Sequence, residues 1–137
     1  SKMEQSMTAL FREEAEESGP VLVHTDLLVT DSKLQVLDQS FWHYLKISPE
    51  PVTLQRLLVE NVATGPTILM NRDLLEKACP IPDNVPYQDW WITLVAAAFG
   101  RVIALPKATV LYRRHSANLF IFFRPQTMFG PVWLELI

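Results

Sequence analysis

The sequence contains a single cysteine, Cys79, among its 137 residues. One cysteine cannot form an internal disulfide, and no Cys-x-x-Cys pair or Cys/His cluster indicates a zinc site. No signal peptide opens the chain, because residues 1–17 are charged throughout. The longest largely apolar run, residues 90–99, is about half as long as a membrane-spanning helix. These absences predict a cytoplasmic protein, soluble or peripheral at the inner face of a membrane.

Acidic residues are missing from a long C-terminal stretch, since none occurs between Asp89 and Glu135. The basic residues of that stretch are Arg101, Lys107, Arg113, Arg114 and Arg124. They form either a solvated surface with ion pairs or, in part, an anion site. The net charge of −3 argues against nucleic acid as the main partner.

Several enzyme signatures are also missing, because the chain has no GxSxG, P-loop, GxGxxG or HExxH motif. What is present is the composition of a packed globular protein, with 49% hydrophobic and 20% charged residues. A chain of this length is about one domain, so we treat residues 1–137 as a single unit.

The first half of the chain alternates helical and extended patterns. Residues 1–17 have apolar side chains at helical spacing, which predicts an amphipathic helix ended by Gly19 and Pro20. Residues 21–29 are mostly apolar and place large side chains on both faces of a strand, which is typical of a central strand covered on both sides. A turn and a short strand over residues 34–37 follow.

The middle of the chain predicts two helices around a short strand. Thr53 is a candidate N-cap for a helix through Glu60, with Leu54, Leu57 and Leu58 on its buried face. Residues 67–70 form a short strand, and Asn71 caps a helix that runs to Cys79.

The strongest helix is predicted over residues 90–99, started by Asp89 and ended by Gly100. Two short strands, residues 101–105 and 108–112, follow it. This alternation predicts the α/β class, with a mixed sheet and flanking helices, because some connections are too short for a crossover helix.

Asp89 is the first candidate site residue, since it lies after a proline-rich loop and at a helix start. As an N-cap it would accept backbone N–H groups. A carboxylate held in one geometry is also what a general base requires. Trp90 and Trp91 belong either to the core or to a platform on which a sugar stacks.

Arg113, Arg114 and His115 follow the last predicted strand and can surround a diphosphate, or they are a solvated strand end. In residues 61–65, Gly65 either permits close approach of a ligand or makes a turn. His24 and Asp26 share a strand face. They form a proton relay or metal pair or, more commonly, a core histidine beside a capping aspartate.

These motifs, in this order, resemble family 2 glycosyltransferases, especially rhamnosyltransferase-like members. The resemblance covers about residues 2–118. It is carried by VLVHTD at 21–26, SFW at 40–42, NVATG at 61–65, MNR at 70–72, PIP at 80–82, QDWW at 88–91 and YRRH at 112–115.

The resemblance implies a GT-A fold and transfer of a sugar, such as rhamnose, from a nucleotide-sugar donor with inversion. The acceptor would be a polysaccharide or a lipid-linked glycan. It implies that Asp89 is the general base and that His115, with Arg113 and Arg114, lies near the donor diphosphate or its metal. Thr64 and Gly65, with Trp90 and Trp91, would lie on the acceptor side.

The chain departs from that family in lacking the N-terminal nucleotide-binding half and its Asp-x-Asp metal motif. The resemblance therefore implies the C-terminal, acceptor-side half of a catalytic domain, a partial GT-A fold. We expect Mg²⁺ or Mn²⁺ in a full-length enzyme, but no metal and no activity in this chain alone. The alternative is a non-catalytic binding or assembly module that retains half of the fold.

The last residues, 119–137, are rich in large apolar side chains. Such side chains gain roughly 1.5–3 kcal/mol each on burial. We therefore expect the chain to self-associate through this tail, or the tail to contact a membrane surface.

Overall fold

A computed structural model describes residues 8, 9, 11, 12 and 19–115. The elements of its first half are β1 (Val21–Thr30), β2 (Val36–Asp38), α1 (Phe41–Leu45) and α2 (Leu54–Leu57). A 3₁₀ turn (Gly65–Thr67), β3 (Ile68–Met70), α3 (Arg72–Ala78), α4 (Gln88–Phe99) and β4 (Arg101–Arg113) follow. The described chain is thus a mixed α/β structure, as the sequence predicts.

Within residues 19–115 the sheet has four strands and is organised around β1. β4 pairs with β1 in parallel along its whole length, from Val21 opposite Arg101 to Thr30 opposite Arg113. β3 pairs antiparallel with the start of β1, and β2 pairs antiparallel with its end. Because β4 takes one edge of β1, the two short strands share the other edge.

The prediction of a central strand at the start of the chain is confirmed. Nine of the ten residues of β1 are buried. Val21, Leu22, Val23 and Val29 are at most 1% exposed. A strand covered on both faces needs apolar side chains in successive positions rather than in alternation.

The predicted start of α3 and the predicted end of α4 are also confirmed. The Asn71 side chain accepts the N–H of Leu74 at 3.0 Å, and it also accepts the N–H of Val21 at 3.0 Å, which ties the start of α3 to β1. Gly100 ends α4. A Cβ atom at Gly100 would lie 1.8 Å from the Pro20 carbonyl oxygen, so only glycine fits where the chain turns into β4.

Two local predictions are wrong. The two short strands expected over residues 101–112 are one strand, β4, which is irregular opposite Thr25 and Asp26 and therefore passes through Pro106 without ending. The helix capped by Thr53 ends at Leu57 rather than at Glu60, and only Leu57 is buried, since Leu54 and Leu58 are each 39% exposed.

Among the described residues the core contains three clusters, on the sheet and between the helices. The first joins β1 to α3 and α4 through Leu22, Leu74, Ala78, Val95 and Ala96. The second joins α2 to α4 through Leu57, Val62, Trp90 and Leu94. The third packs α1 on the end of β1 through Leu27, Val29 and Phe41. Together they fix the start of α4 and the end of β4 relative to β1.

The predictions for the two ends of the chain lie mostly outside the described residues. Thr8, Ala9, Phe11 and Arg12 are helical, as the periodicity of residues 1–17 predicts. The apolar tail at 119–137 falls outside the described part. Within the described residues, no helix combines the length and the hydropathy that crossing a bilayer requires.

Candidate functional site

Asp89 lies in the first turn of α4, but it is not the N-cap that the sequence predicts. The helix begins one residue earlier, at Gln88, and Tyr87 occupies the N-cap position without a side-chain cap. The pattern in the sequence placed a carboxylate near the helix start correctly, but the N-cap lies two residues before the predicted one. In this first turn the helix dipole still favours a negative charge.

Two backbone N–H groups hold the Asp89 carboxylate. The N–H of Trp90 donates to Oδ1 at 2.8 Å, and the N–H of Gly65 donates to Oδ2 at 3.1 Å. The Thr93 hydroxyl donates to the Asp89 carbonyl at 2.7 Å, which anchors the backbone of the same turn. Each carboxylate oxygen accepts one of these bonds, so each keeps a lone pair for a further donor.

Burial raises the pKa of the Asp89 carboxyl above its ordinary value, because a charge in a partly desolvated position is less stable than in water. The N–H groups of Trp90 and Gly65 oppose this rise but do not cancel it. The group is therefore a stronger base than a solvated aspartate.

Gly65 approaches Asp89 because the loop before β3 closes into a short 3₁₀ turn. The N–H of Thr67 donates to the Thr64 carbonyl at 2.8 Å, and the Thr67 hydroxyl donates to the same oxygen at 2.6 Å. A Cβ atom at Gly65 would lie 3.7 Å from the Cβ and from Oδ2 of Asp89. The absence of a side chain thus leaves room directly beside the carboxylate.

A partly open cavity of about 40 Å³ lies beside this turn. Its lining residues come from α1, from the loop before the 3₁₀ turn and from the end of β4: Phe41, Trp42, Ile47, Asn61, Val62, Ala63, Thr64 and Tyr112. Thr64 is the chain neighbour of Gly65, which contacts Asp89. Tyr112 directly precedes Arg113, Arg114 and His115, which are called here the basic strand end. The cavity therefore touches a chain neighbour of each of the two groups of residues that the sequence singled out.

The two tryptophans after Asp89 are held by the core. Trp90 is 3% exposed, and its indole N–H donates to the Leu57 carbonyl at 2.5 Å. Trp91 is half-buried, and its indole N–H donates to the Ala78 carbonyl at 3.0 Å. Trp90 is therefore a core residue, and its ring has almost no exposed surface on which a sugar could stack.

The basic strand end is exposed, and its two arginines already form hydrogen bonds with other residues of the protein. The Arg113 guanidinium donates to the Ser32 carbonyl at 2.6 Å. The Arg114 guanidinium donates to the Tyr44 hydroxyl and lies 5.8 Å from the centre of that ring. His115 is exposed. A diphosphate at this end would have to compete with the Ser32 carbonyl and the Tyr44 hydroxyl for the two guanidinium groups.

His24 and Asp26 are both buried, at 0% and 5% exposure, so they face no cleft. Asp26 accepts the N–H groups of Phe41 at 2.9 Å and Trp42 at 3.2 Å and the hydroxyl of Ser40. It is therefore the capping aspartate of α1. The His24 ring lies edge-on to Trp42, with 5.4 Å between ring centres, and neither ring nitrogen has a hydrogen-bond partner among the described residues. A hydrolase based on this pair has no accessible site.

Sequence reasoning missed the aromatic walls of the cavity. Phe41 and Trp42 belong to α1, a helix of only five residues capped by Ser40, whose side chain accepts the N–H of His43. A signal did exist, because serine before an aromatic run is an N-cap pattern. What no local pattern shows is that Asp26 of β1 completes the cap from 15 positions away.

No group of three or more His, Cys, Asp or Glu side chains within the described ranges is arranged to hold a metal ion. Comparison of the chain with protein-family models, with curated proteins and with solved structures finds no match.

Proposed function

We propose that this chain is the acceptor-side part of an inverting glycosyltransferase, a partial GT-A fold in which Asp89 is the general base. The observation that carries the proposal is the Asp89 carboxylate itself. It is held by the N–H groups of Gly65 and Trp90, and it is partly buried. The ordered motifs that resemble family 2 glycosyltransferases support the same assignment.

The chemistry requires a base that removes the proton from an acceptor hydroxyl as that oxygen attacks the anomeric carbon. The bond from this carbon to the donor phosphate breaks as the new bond forms on the opposite face, so the anomeric configuration inverts. The fixed carboxylate of Asp89 suits this role, since its free lone pairs can accept the hydroxyl proton and its raised pKa increases its basicity. No covalent sugar–enzyme intermediate is needed.

The proposed acceptor side is the 3₁₀ turn with Thr64 and Gly65 and the adjoining cavity. The proposed donor side is the basic strand end with Arg113, Arg114 and His115, where guanidinium groups suit phosphate oxygens. The nucleotide-binding half and the Mg²⁺ or Mn²⁺ would be supplied by a longer protein to which these residues belong. The donor would be a nucleotide sugar such as a rhamnose donor, and the acceptor a polysaccharide or lipid-linked glycan.

The test compares Asp89→Asn with Asp83→Asn in the complete protein encoded by the reading frame. Asp83 is an exposed aspartate of the nearby proline-rich loop and serves as the matched control. We expect Asp89→Asn to reduce sugar transfer by about 10²-fold or more, the usual scale for a lost general base, and Asp83→Asn to leave it unchanged. The donor panel contains uridine- and deoxythymidine-diphosphate sugars, and NMR of the product determines its anomeric configuration.

The pH dependence of transfer gives an independent check. A base acts only when ionised, so the rate should fall as the pH drops through the pKa of Asp89, which lies above the ordinary aspartate value. Near-normal transfer by Asp89→Asn, or a product with retained configuration, would remove Asp89 from this role. Absence of transfer by the complete wild-type protein with every donor would favour the non-catalytic binding or assembly module.

A further inference from the structure

Thr67 is a buried polar residue whose two donors converge on one oxygen. The residue is only 2% exposed. Its N–H donates to the Thr64 carbonyl at 2.8 Å, and its hydroxyl donates to the same oxygen at 2.6 Å. A carbonyl oxygen has two lone pairs, so these two bonds can occupy both of them. One residue therefore holds the Thr64 carbonyl in a fixed direction.

The carbonyl that Thr67 holds belongs to the same peptide group as the N–H that donates to Asp89. The Thr64 carbonyl and the Gly65 N–H are two parts of one planar trans unit, and they point in opposite directions. A rotation that turns the carbonyl must also turn the N–H. Since this N–H reaches Oδ2 of Asp89 at 3.1 Å, the bonds that Thr67 makes on one side of the peptide group aim the donor on its other side.

The rest of the 3₁₀ turn limits the movement of this peptide group. The N–H of Ile68 donates to the Gly65 carbonyl, and Ile68 pairs with His24 of the central strand. Pro66 stands between Gly65 and Thr67, and its ring fixes its own φ angle. The turn is thus tied to β1 on one side and to the start of α4 on the other.

Hydrogen bonding also links Thr67 to the charge of Asp89. Donors on a carbonyl polarise its peptide group and strengthen the N–H of that group as a donor. The Gly65 N–H stabilises the ionised carboxylate and opposes the rise in the pKa of Asp89 that burial causes. Loss of the Thr67 hydroxyl should therefore weaken this support, raise the pKa of Asp89 further, and leave the carboxylate less firmly oriented.

We propose that Thr67 is a positioning residue for Asp89, acting through the peptide group that joins Thr64 to Gly65. The proposal rests on the proposed function, in which Asp89 accepts the proton of the acceptor hydroxyl. Thr67 itself does not receive that proton, because its hydroxyl donates to a backbone carbonyl. A threonine that only stabilised the turn would change the stability of the fold without changing the ionisation of Asp89.

The first test is an NMR titration of the Asp89 carboxyl carbon in the 137-residue chain. Thr67→Val keeps the shape and the N–H but removes the hydroxyl, whereas Thr67→Ser keeps the hydroxyl. Thr30→Val is the control, since it removes a buried threonine hydroxyl of β1 that has no hydrogen-bond partner among the described residues. The titration midpoint should move to higher pH in Thr67→Val and stay near the wild-type value in the other two variants.

An unchanged midpoint in Thr67→Val, or an equal shift in Thr67→Ser, would overturn the proposal. The wild type provides a measurement that needs no variant. The buried Thr67 hydroxyl proton and the Gly65 amide proton should both change chemical shift with the midpoint of Asp89, because one peptide group connects them. A hydroxyl signal that ignores this titration would also overturn the proposal, and it decides the matter if Thr67→Val does not fold.

The second test is sugar transfer by the complete protein. Thr67→Val should lower kcat by about 10-fold to 10²-fold, the scale of a misplaced catalytic group, with KM nearly unchanged. The acid limb of its pH profile should move to higher pH. At a pH well above this limb Asp89 is ionised in every variant, so the remaining loss of kcat measures its orientation. Thr67→Ser should restore most of the rate, and a change in KM alone would contradict the positioning role.

The proposal and the proposed function fail in distinguishable ways, because the NMR titration does not depend on catalysis. A raised Asp89 midpoint in Thr67→Val together with normal transfer by Asp89→Asn would retain the link between the two residues and remove the base. Loss of transfer by Asp89→Asn with an unchanged midpoint in Thr67→Val would retain the base and remove the positioning role of Thr67.

Discussion

His24 should make the protein unstable in mild acid. Its imidazole is 0% exposed and lies on the central strand β1, and in the part of the chain that the structure describes neither nitrogen has a hydrogen-bond partner. Burial lowers its pKa from 6.5 to about 4, and the nearby Asp26 carboxylate opposes this fall only in part. A proton on this ring would be a buried charge with no hydrogen bond, which the folded state disfavours.

The sign and size of the effect follow from linkage. The unfolded chain binds the proton more readily than the folded protein does, so stability is complete above the unfolded pKa of 6.5 and declines as the pH falls toward 4. One pKa unit corresponds to about 1.4 kcal/mol. The full loss is therefore about 3 kcal/mol, of which about 2 kcal/mol is already lost at pH 5. Small domains are stable by only about 5–15 kcal/mol.

The assay is urea unfolding of the wild type and of His24→Leu at several pH values between 7.5 and 4.5. Protonation of carboxylates affects both proteins, so the difference between their unfolding free energies isolates His24. This difference should grow by about 2 kcal/mol in favour of His24→Leu between pH 7.5 and pH 5. His43→Gln serves as the control, because the His43 side chain is 82% exposed and pairs with Asp38 on the surface.

Two results would refute this reasoning. Parallel stability curves for the wild type and His24→Leu would show that His24 takes up its proton equally well in both states. A wild type that becomes relatively more stable in acid would show that Asp26 outweighs burial and raises the pKa of His24 above 6.5.

Three further predictions follow from other parts of the molecule. Gly100→Ala should cost about 3 kcal/mol of unfolding free energy in urea, because its Cβ would lie 1.8 Å from the Pro20 carbonyl oxygen; Ala98→Gly in the preceding helix α4 should cost only about 1 kcal/mol, and equal costs would contradict the close approach. Titration calorimetry of the chain with uridine or deoxythymidine diphosphate should give a Kd no tighter than about 1 mM, since Arg113 and Arg114 are engaged by Ser32 and Tyr44; micromolar affinity would place the donor site elsewhere. Sedimentation at micromolar concentration should show self-association that is lost on deletion of the apolar residues 119–137. A protein that stays monomeric at every concentration would contradict association through these residues.

Much of the fold follows from local patterns in the sequence. The mostly apolar run of β1 indicates a strand covered on both faces. Asn71 and Gly100 mark helix ends, because asparagine at an N-cap and glycine after a last turn are patterns that local sequence shows. These signals place Asp89 near the start of α4 without any knowledge of its partners.

The remaining features depend on contacts between distant residues. β4 continues through Pro106 because β1 supplies a template along its whole length. The five-residue α1 is stabilised by Asp26 of another element, although a helix this short is marginal alone. Gly65 reaches Asp89 across 24 positions. The cavity arises where these long-range contacts meet, so no short pattern could have predicted it.

The pairing of β1 with β4 also has a consequence for how the protein is made. Val21 lies opposite Arg101, which follows it by 80 positions. During synthesis at roughly 5–20 residues per second, β1 leaves the ribosome several seconds before its main partner exists. For that interval the two valine and leucine runs of β1, residues 21–23 and 27–29, have no strand beside them except the short β2 and β3, and such segments are prone to aggregate. Yield should therefore depend on chaperones or on low temperature more than the stability of the finished protein would suggest.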